Sequence, residues 1–176
     1  MLTEEAILLA LEDVKDPEIP VISVVELGVI RAVRVDGDNV TVDMTPTFAG
    51  CPALAAMQAD VQARVRQMGA AQVEIRLVLS PPWSSDWIAE GARAKLRSFG
   101  LAPPRHHGGL IQIMLSDAAT CPHCGSSNAT LKNNFGPTLC RALYYCNDCQ
   151  QPFEQFKAIG LTAVTALQSS ENGENL

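Results

Sequence analysis

Apolar positions along the first hundred residues switch between a helical and an alternating period. Ile7, Leu8, Ala10, Leu11 and Val14 form one helical face behind Thr3, whose side-chain oxygen suits an N-cap. Asp16-Pro17-Glu18-Ile19-Pro20 ends that helix, since proline lacks the N–H and restricts the residue before it. Residues 29–35 are rich in β-branched side chains, Asp36-Gly37-Asp38-Asn39 is turn chemistry, and Val40, Val42 and Met44 alternate with polar neighbours. This pattern predicts a β-hairpin. Thr47-Phe48-Ala49-Gly50-Cys51-Pro52 reads as a loop, with Pro52 at the first position of a second helix. That helix carries Leu54, Met57, Val61 and Val65 inward, reaches about Met68 and stops at Gly69. Val73, Ile75, Leu77 and Leu79 alternate into a third strand that Pro81-Pro82-Trp83 ends. A third helix is predicted over about 86–99, with Gly100 as its stop. The order α-β-β-α-β-α gives a two-layer α+β domain over residues 1–100.

Beyond it the pattern changes. Residues 101–110 hold two prolines, two adjacent histidines (His106, His107) and glycines, and read as a linker. A short strand over 111–115 leads into a small β-rich segment, 111–160, and a polar tail occupies 161–176.

With 176 residues, 47% of them hydrophobic, the chain can bury a core in one domain plus a small one. A net charge of −6 argues against a nucleic-acid binder, which needs a basic footprint. The acidic start, Met1-Leu2-Thr3-Glu4-Glu5, is unlike a signal peptide, and no apolar run approaches the roughly 20 residues that span a bilayer. The expectation is a cytoplasmic protein without membrane or nucleic-acid partners. Six cysteines in such a chain point to metal or redox chemistry before disulfides.

Cys121-Pro122-His123-Cys124-Gly125 and Cys146-Asn147-Asp148-Cys149 are two C-x-x-C pairs separated by 21 residues. Two such knuckles can present four thiolates to one tetrahedral ion, zinc first and iron in a rubredoxin-like arrangement second. Disulfides and a redox-active C-x-x-C are the competing readings. Gly125 suits the positive φ of the first knuckle, whereas the second has Gln150 there. So short a segment is expected to draw much of its folding energy from the ion. Residues 111–176 carry Lys132, Arg141 and Lys157 against Asp117, Asp148, Glu154, Glu171 and Glu174, a balance that suits protein docking. His123 reads as an exposed knuckle residue, and Cys140 as a packing or protein-contact residue rather than a fifth ligand.

Cys51 is expected at a helix N-terminus, where the dipole would favour a thiolate. A labile metal ligand or reactive thiol and a buried inert cysteine are both open readings. Asp16, Glu18 and Glu26 either face solvent or converge on Cys51. Trp83 and Trp87 are either core or partner-docking residues. An enzyme built on Cys51 lacks a His/Asp partner at any recognisable motif spacing.

Asp16-Pro17-Glu18-Ile19-Pro20, Val25-Glu26-Leu27-Gly28-Val29 and Thr47 to Cys51-Pro52 resemble the iron–sulfur cluster assembly domain of the SufT type, over about residues 1–100. Pro81-Pro82-Trp83-Ser84-Ser85-Asp86-Trp87 and the ribbon with Phe135-Gly136-Pro137-Thr138-Leu139-Cys140-Arg141-Ala142-Leu143-Tyr144-Tyr145-Cys146 narrow the resemblance to the D-subunit family of ring-1,2-phenylacetyl-CoA epoxidases. The resemblance implies a non-catalytic accessory subunit that helps mature a metal centre in a multicomponent oxygenase of aerobic phenylacetate catabolism. Its partners would be the oxygenase or reductase subunits. A homodimer is left open, since relatives of the assembly domain can dimerise. Carried over, the functional cysteine maps to Cys51, handling iron or a cluster transiently, and the acidic position to Asp16 or Glu26. Many relatives have Asp where this chain has Glu26. The structural zinc ligands map to Cys121, Cys124, Cys146 and Cys149. A general iron–sulfur carrier without a dedicated client is the alternative.

Overall fold

The computed structural model describes residues 2–48, 50–108 and 119–160. The strand expected over 111–115 and the tail over 161–176 lie outside the described residues.

Helix α1 (Glu4–Leu11) starts as its sequence predicts: Thr3 Oγ1 accepts the Ala6 N–H at 3.2 Å. The Asp-Pro-Glu-Ile-Pro stretch, expected as a loop, is partly a small hairpin of β1 (Lys15–Asp16) and β2 (Ile19–Ser23). Both prolines fit because this pair is a sheet of its own, so neither removes a hydrogen bond from a central strand. Strands β3 (Ile30–Asp36) and β4 (Asn39–Met44) form the predicted antiparallel hairpin.

Helix α2 (Leu54–Gln67) begins two residues later than Pro52 suggested. The chain turns first, with Cys51 N–H on Phe48 O and Leu54 N–H on Cys51 O. Its inner face is Met57, Val61 and Val65, each four residues from the next and each fully buried. Strand β5 (Gln72–Leu77) then pairs in parallel with β4, giving a three-stranded β3-β4-β5 sheet covered by α1 and α2. Leu79 was expected inside this strand but lies beyond its end, 63% exposed.

The third helix is shorter than predicted. A 3-10 turn over Ser85–Trp87 comes first, and α3 is Glu90–Ser98, with Gly100 in the left-handed region behind it. Leu101–Ala102, read as the start of a linker, is strand β6 and pairs in parallel with β9. Both side chains are buried, and pairing satisfies backbone groups that a solvated linker would have left to water. Strands β7 (Ala129–Asn133), β8 (Arg141–Cys146) and β9 (Pro152–Phe156) complete a sheet of order β6-β9-β8-β7.

The ribbon sits on the larger layer. Phe156 belongs to the main core and meets Trp83 at a ring-centroid distance of 5.7 Å. The Ser85 N–H donates to Ile159 O at 2.8 Å, and the Ile159 N–H returns to Ser85 Oγ at 3.1 Å. A second, small cluster of Ala102, Ala119, Cys121, Ala142, Tyr144, Cys146 and Phe153 lies inside the ribbon. Among the described residues no helix is long and apolar enough to cross a membrane.

Candidate functional site

The four knuckle cysteines converge. Their sulfurs all lie within 4.8 Å of one another, with Cys121 Sγ to Cys149 Sγ at 3.7 Å and Cys124 Sγ to Cys146 Sγ at 3.6 Å. All four are free thiols, and these separations far exceed a disulfide bond of about 2.05 Å. The edge of a tetrahedron with 2.3 Å metal–sulfur bonds is about 3.8 Å, so the donor set fits one thiophilic ion.

The two knuckles are near copies in their backbone bonds. Cys121 N–H donates to Ser126 O and Gly125 N–H to Cys121 O; Cys146 N–H donates to Gln151 O and Gln150 N–H to Cys146 O. Closing each turn requires positive φ at its fifth residue, 78° at Gly125 and 59° at Gln150. Gln150 is the non-glycine residue in that region among those described, so the second knuckle forms at the conformational cost its sequence suggested.

Backbone N–H groups of Cys149 and Asp148 pull the Cys146 thiol down to about 7, while burial and thiol neighbours push Cys149 up to about 12. Cys146 is thus more readily ionised than Cys149. A polar lattice ties the knuckles: Asp148 accepts from Ser126 Oγ and, at 2.7 Å, from Asn128 Nδ2, while the Asn147 N–H donates to Asn128 O. His123 is exposed and outside the converging group.

Cys51 is half-buried in the turn before α2, and its thiol is not activated as its place near a helix start suggested. Burial pushes its pKa up, the nearby charges of Asp16, Cys140 and Glu18 add to this, and the Ala53 N–H only partly offsets them. The helix proper begins three residues on, which weakens the dipole at the sulfur.

The three acids of the loop part company. Asp16 is buried and shapes its own turn: Oδ1 accepts the N–H groups of Glu18 at 2.7 Å and Ile19 at 3.1 Å. Its charge bears on the Cys51 thiol. Glu26 is engaged by other partners. Its Oε2 accepts the Ser23 N–H at 3.0 Å, Ser23 Oγ accepts the Glu26 N–H at 3.0 Å, and Oε1 takes Lys95 Nζ at 2.5 Å. The reciprocal Ser23–Glu26 bonds have the pattern of a capping box, here closing a turn between β2 and β3, and both Glu26 oxygens are engaged.

Residues 111–157 match the family model described as PaaD zinc beta ribbon domain, and residues 4–77 match iron–sulfur cluster assembly protein. A protein of Escherichia coli (strain K12), provisionally named as the D subunit of 1,2-phenylacetyl-CoA epoxidase, is 38% identical over 149 residues, covering 85% of this chain and 89% of its own. The chain belongs to the phenylacetyl-CoA epoxidase D-subunit family. A Porphyromonas gingivalis (strain ATCC BAA-308 / W83) protein named Fe-S protein maturation auxiliary factor is 43% identical over 96 residues, covering 53% of this chain and 90% of its own. The crystal structure of a domain of unknown function, DUF59, from Bacillus anthracis matches with a TM-score of 0.50 and 30% identity, over 53% of this chain and 90% of that one.

In this D-subunit family member the tryptophans are structural first. Trp83 is 1% exposed, with Nε1 donating to Leu27 O at 3.0 Å, in keeping with the core alternative of its two readings. Trp87 is half-buried under the Arg31 guanidinium, 3.6 Å above its ring. Gly28, at φ 73°, faces it so closely that a methyl group there would stand 2.7 Å from Trp87 O. The histidines of the expected linker are anchors: His107 Nε2 lies 2.9 Å from Ile159 O, and the His107 and Gly108 N–H groups donate to the Asp86 carboxylate. Sequence reasoning missed Asp86, Ser85 and Asp148 as fastening points. The S-x-x-E spacing of Ser23 and Glu26 was a readable sign of their reciprocal bonds.

Proposed function

We propose that this chain is a cytoplasmic, non-catalytic accessory subunit that assists iron or iron–sulfur centre assembly in phenylacetyl-CoA epoxidase. In this reading Cys121, Cys124, Cys146 and Cys149 hold a structural zinc ion. Zinc supplies no redox chemistry; it fixes two knuckles that hydrogen bonds already pre-form, giving a rigid module for the oxygenase or reductase subunits to grip. Cys51 is the transient ligand of the cargo, with Asp16 beside it. A thiol kept protonated by burial suits a ligand that ionises when a cation arrives better than a standing nucleophile.

The single observation that carries the proposal is the pairing of two modules in one chain. About half of this chain spans 90% of the Porphyromonas gingivalis maturation factor, so that relative consists of little more than the assembly-type module. The added ribbon gives this chain a surface for one client. The same match favours a second reading, a general iron–sulfur carrier. Deleting the gene separates them: loss of growth on phenylacetate with other iron–sulfur enzymes intact supports the dedicated role, and broad loss of those enzymes supports the carrier. Full maturation by a Cys51→Ser protein would refute the role given to Cys51.

A further inference from the structure

Cys140, the sixth cysteine, lies 89 positions from Cys51 in sequence and belongs to the other module. The fold brings it to the same seam. Cys140 is buried at the margin of the main hydrophobic core, and Cys51 packs against that core. The two loops lie side by side: Leu139 Cδ1 would stand 3.9 Å from a methyl group on Gly50. Arg141 fastens the ribbon loop to the acidic turn, donating Nη2 to Glu18 O at 2.9 Å while Nη1 pairs with Glu154 at 2.9 Å. On the far side, the Lys157 N–H holds Cys140 O at 2.9 Å. Neither thiol is in a disulfide.

From this juxtaposition we infer that Cys51 and Cys140 form a second, exchangeable site for a thiophilic divalent cation, built across the seam between the assembly domain and the ribbon.

The chemistry of the seam selects a cation. Both thiols are pushed above their ordinary pKa, first by burial, and the charges of Asp16 and Glu18 bear on each of them. The positive groups acting on Cys140 are Arg141, whose guanidinium is already engaged by Glu154 and Glu18 O, and Lys157, whose Nζ is held by Leu139 O at 2.9 Å. A divalent ion entering the pair displaces two protons to solvent, and two neutral thiols become a neutral metal dithiolate. No net charge is buried, so the low-dielectric seam accepts the change.

The site is incomplete by design of its neighbours. Among the described residues, the knuckle quartet is the group of three or more ligating side chains that converges within 4.8 Å. Two thiolates alone leave coordination positions for ligands of an incoming client, the condition for transfer rather than storage. Thr138 Oγ1, 3.1 Å from Cys140 Sγ, positions the thiol. Leu139 is 44% exposed at the rim, so the half-buried Cys51 side opens beside an apolar contact point.

This inference rests on the transient-ligand role proposed for Cys51, and the test separates the two. Zinc-loaded protein is titrated anaerobically with ferrous iron, which binds nitrogen and sulfur sites more weakly than zinc and leaves the ribbon ion in place. The wild type is expected to bind one iron with release of two protons. Cys51→Ser and Cys140→Ser are each expected to weaken iron at least tenfold while keeping one zinc, the sign that the fold survives. Loss in Cys51→Ser with wild-type binding in Cys140→Ser overturns the two-thiol site and leaves the Cys51 reading standing. Binding unchanged in both variants, or no iron bound by the wild type, overturns both. Should Cys140→Ser not fold, X-ray absorption of the iron-loaded wild type decides: two sulfur ligands per iron support the pair, and one or none refutes it.

Discussion

Phe156 is the most direct handle on how the two modules depend on each other. It is the last residue of β9, a ribbon strand, yet its ring is 1% exposed in the main core and meets Trp83 at 5.7 Å with a 48° tilt. Truncating a fully buried phenylalanine costs about 3–5 kcal/mol, of which roughly 0.5–1.5 belongs to the aromatic pair. With a urea dependence of about 2 kcal/mol per molar, Phe156→Ala should lower the unfolding midpoint by about 2 M. Trp83 is the natural reporter, and a Trp87→Phe background removes the second of the two tryptophans. Phe153→Ala is the control. Phe153 is only three residues away and 4% exposed, but it stacks on Tyr144 inside the ribbon's own cluster. It should weaken the ribbon while leaving the Trp83 transition near wild type. A Phe156→Ala midpoint within 0.5 M of wild type, using that as roughly the resolution of such curves, would refute the seating of the ribbon in the larger core.

The remaining predictions concern local devices. Stripping the knuckle ion with a chelator, or substituting Cys146→Ser, should abolish the near-ultraviolet signal of Tyr144 and Tyr145, since the ribbon cluster has few large side chains besides the sulfurs; a signal that survives complete metal loss would contradict this. Glu26→Ala should cost about 1–2 kcal/mol by urea titration, from the lost bond to the Ser23 N–H and the Lys95 pair. The sign of its pH dependence follows from its depressed pKa: burial pushes the carboxyl up, but Lys95 and the Ser23 N–H outweigh it. Its contribution is therefore present above the ordinary glutamate pKa near 4.3 and fades as pH falls through the lower folded value. Glu26→Gln should flatten that part of the acid limb, and an unaltered limb would argue against the pair. Gln150→Gly should raise the ribbon's thermal midpoint, relieving about 1 kcal/mol of left-handed strain, less what glycine adds to unfolded-chain entropy. A clear fall in midpoint would show that the Gln150 side chain contributes more than its backbone costs.

What the sequence revealed, and what it concealed, divides along contact range. The helical face of Ile7 and Leu11, the β3–β4 hairpin and the inner stripe of Met57, Val61 and Val65 rest on near-neighbour periodicity, so they were legible. The two knuckles were legible for the same reason, because a C-x-x-C turn carries its own geometry. Asp16 and Glu26 looked alike, as acids in one loop, and only the positions of Ser23 and Lys95 separate them. The first was readable through its spacing, while the second lies 69 positions away and was not. Leu101 and Ala102 looked like linker because strand β6 is two residues long and exists only through its pairing with β9. The same logic hid the seam. Nothing near Cys51 announces Cys140, and nothing near Cys140 requires a partner; the Cys140 loop comes to the assembly domain because Phe156 enters the main core and Arg141 grips the Glu18 turn. A ribbon seated in this way does more than adorn an assembly domain: it sets what stands beside that domain's loop cysteine. The stability of the Phe156 contact and the behaviour of the Cys51 thiol should therefore move together, so that a variant which loosens one alters the titration of the other.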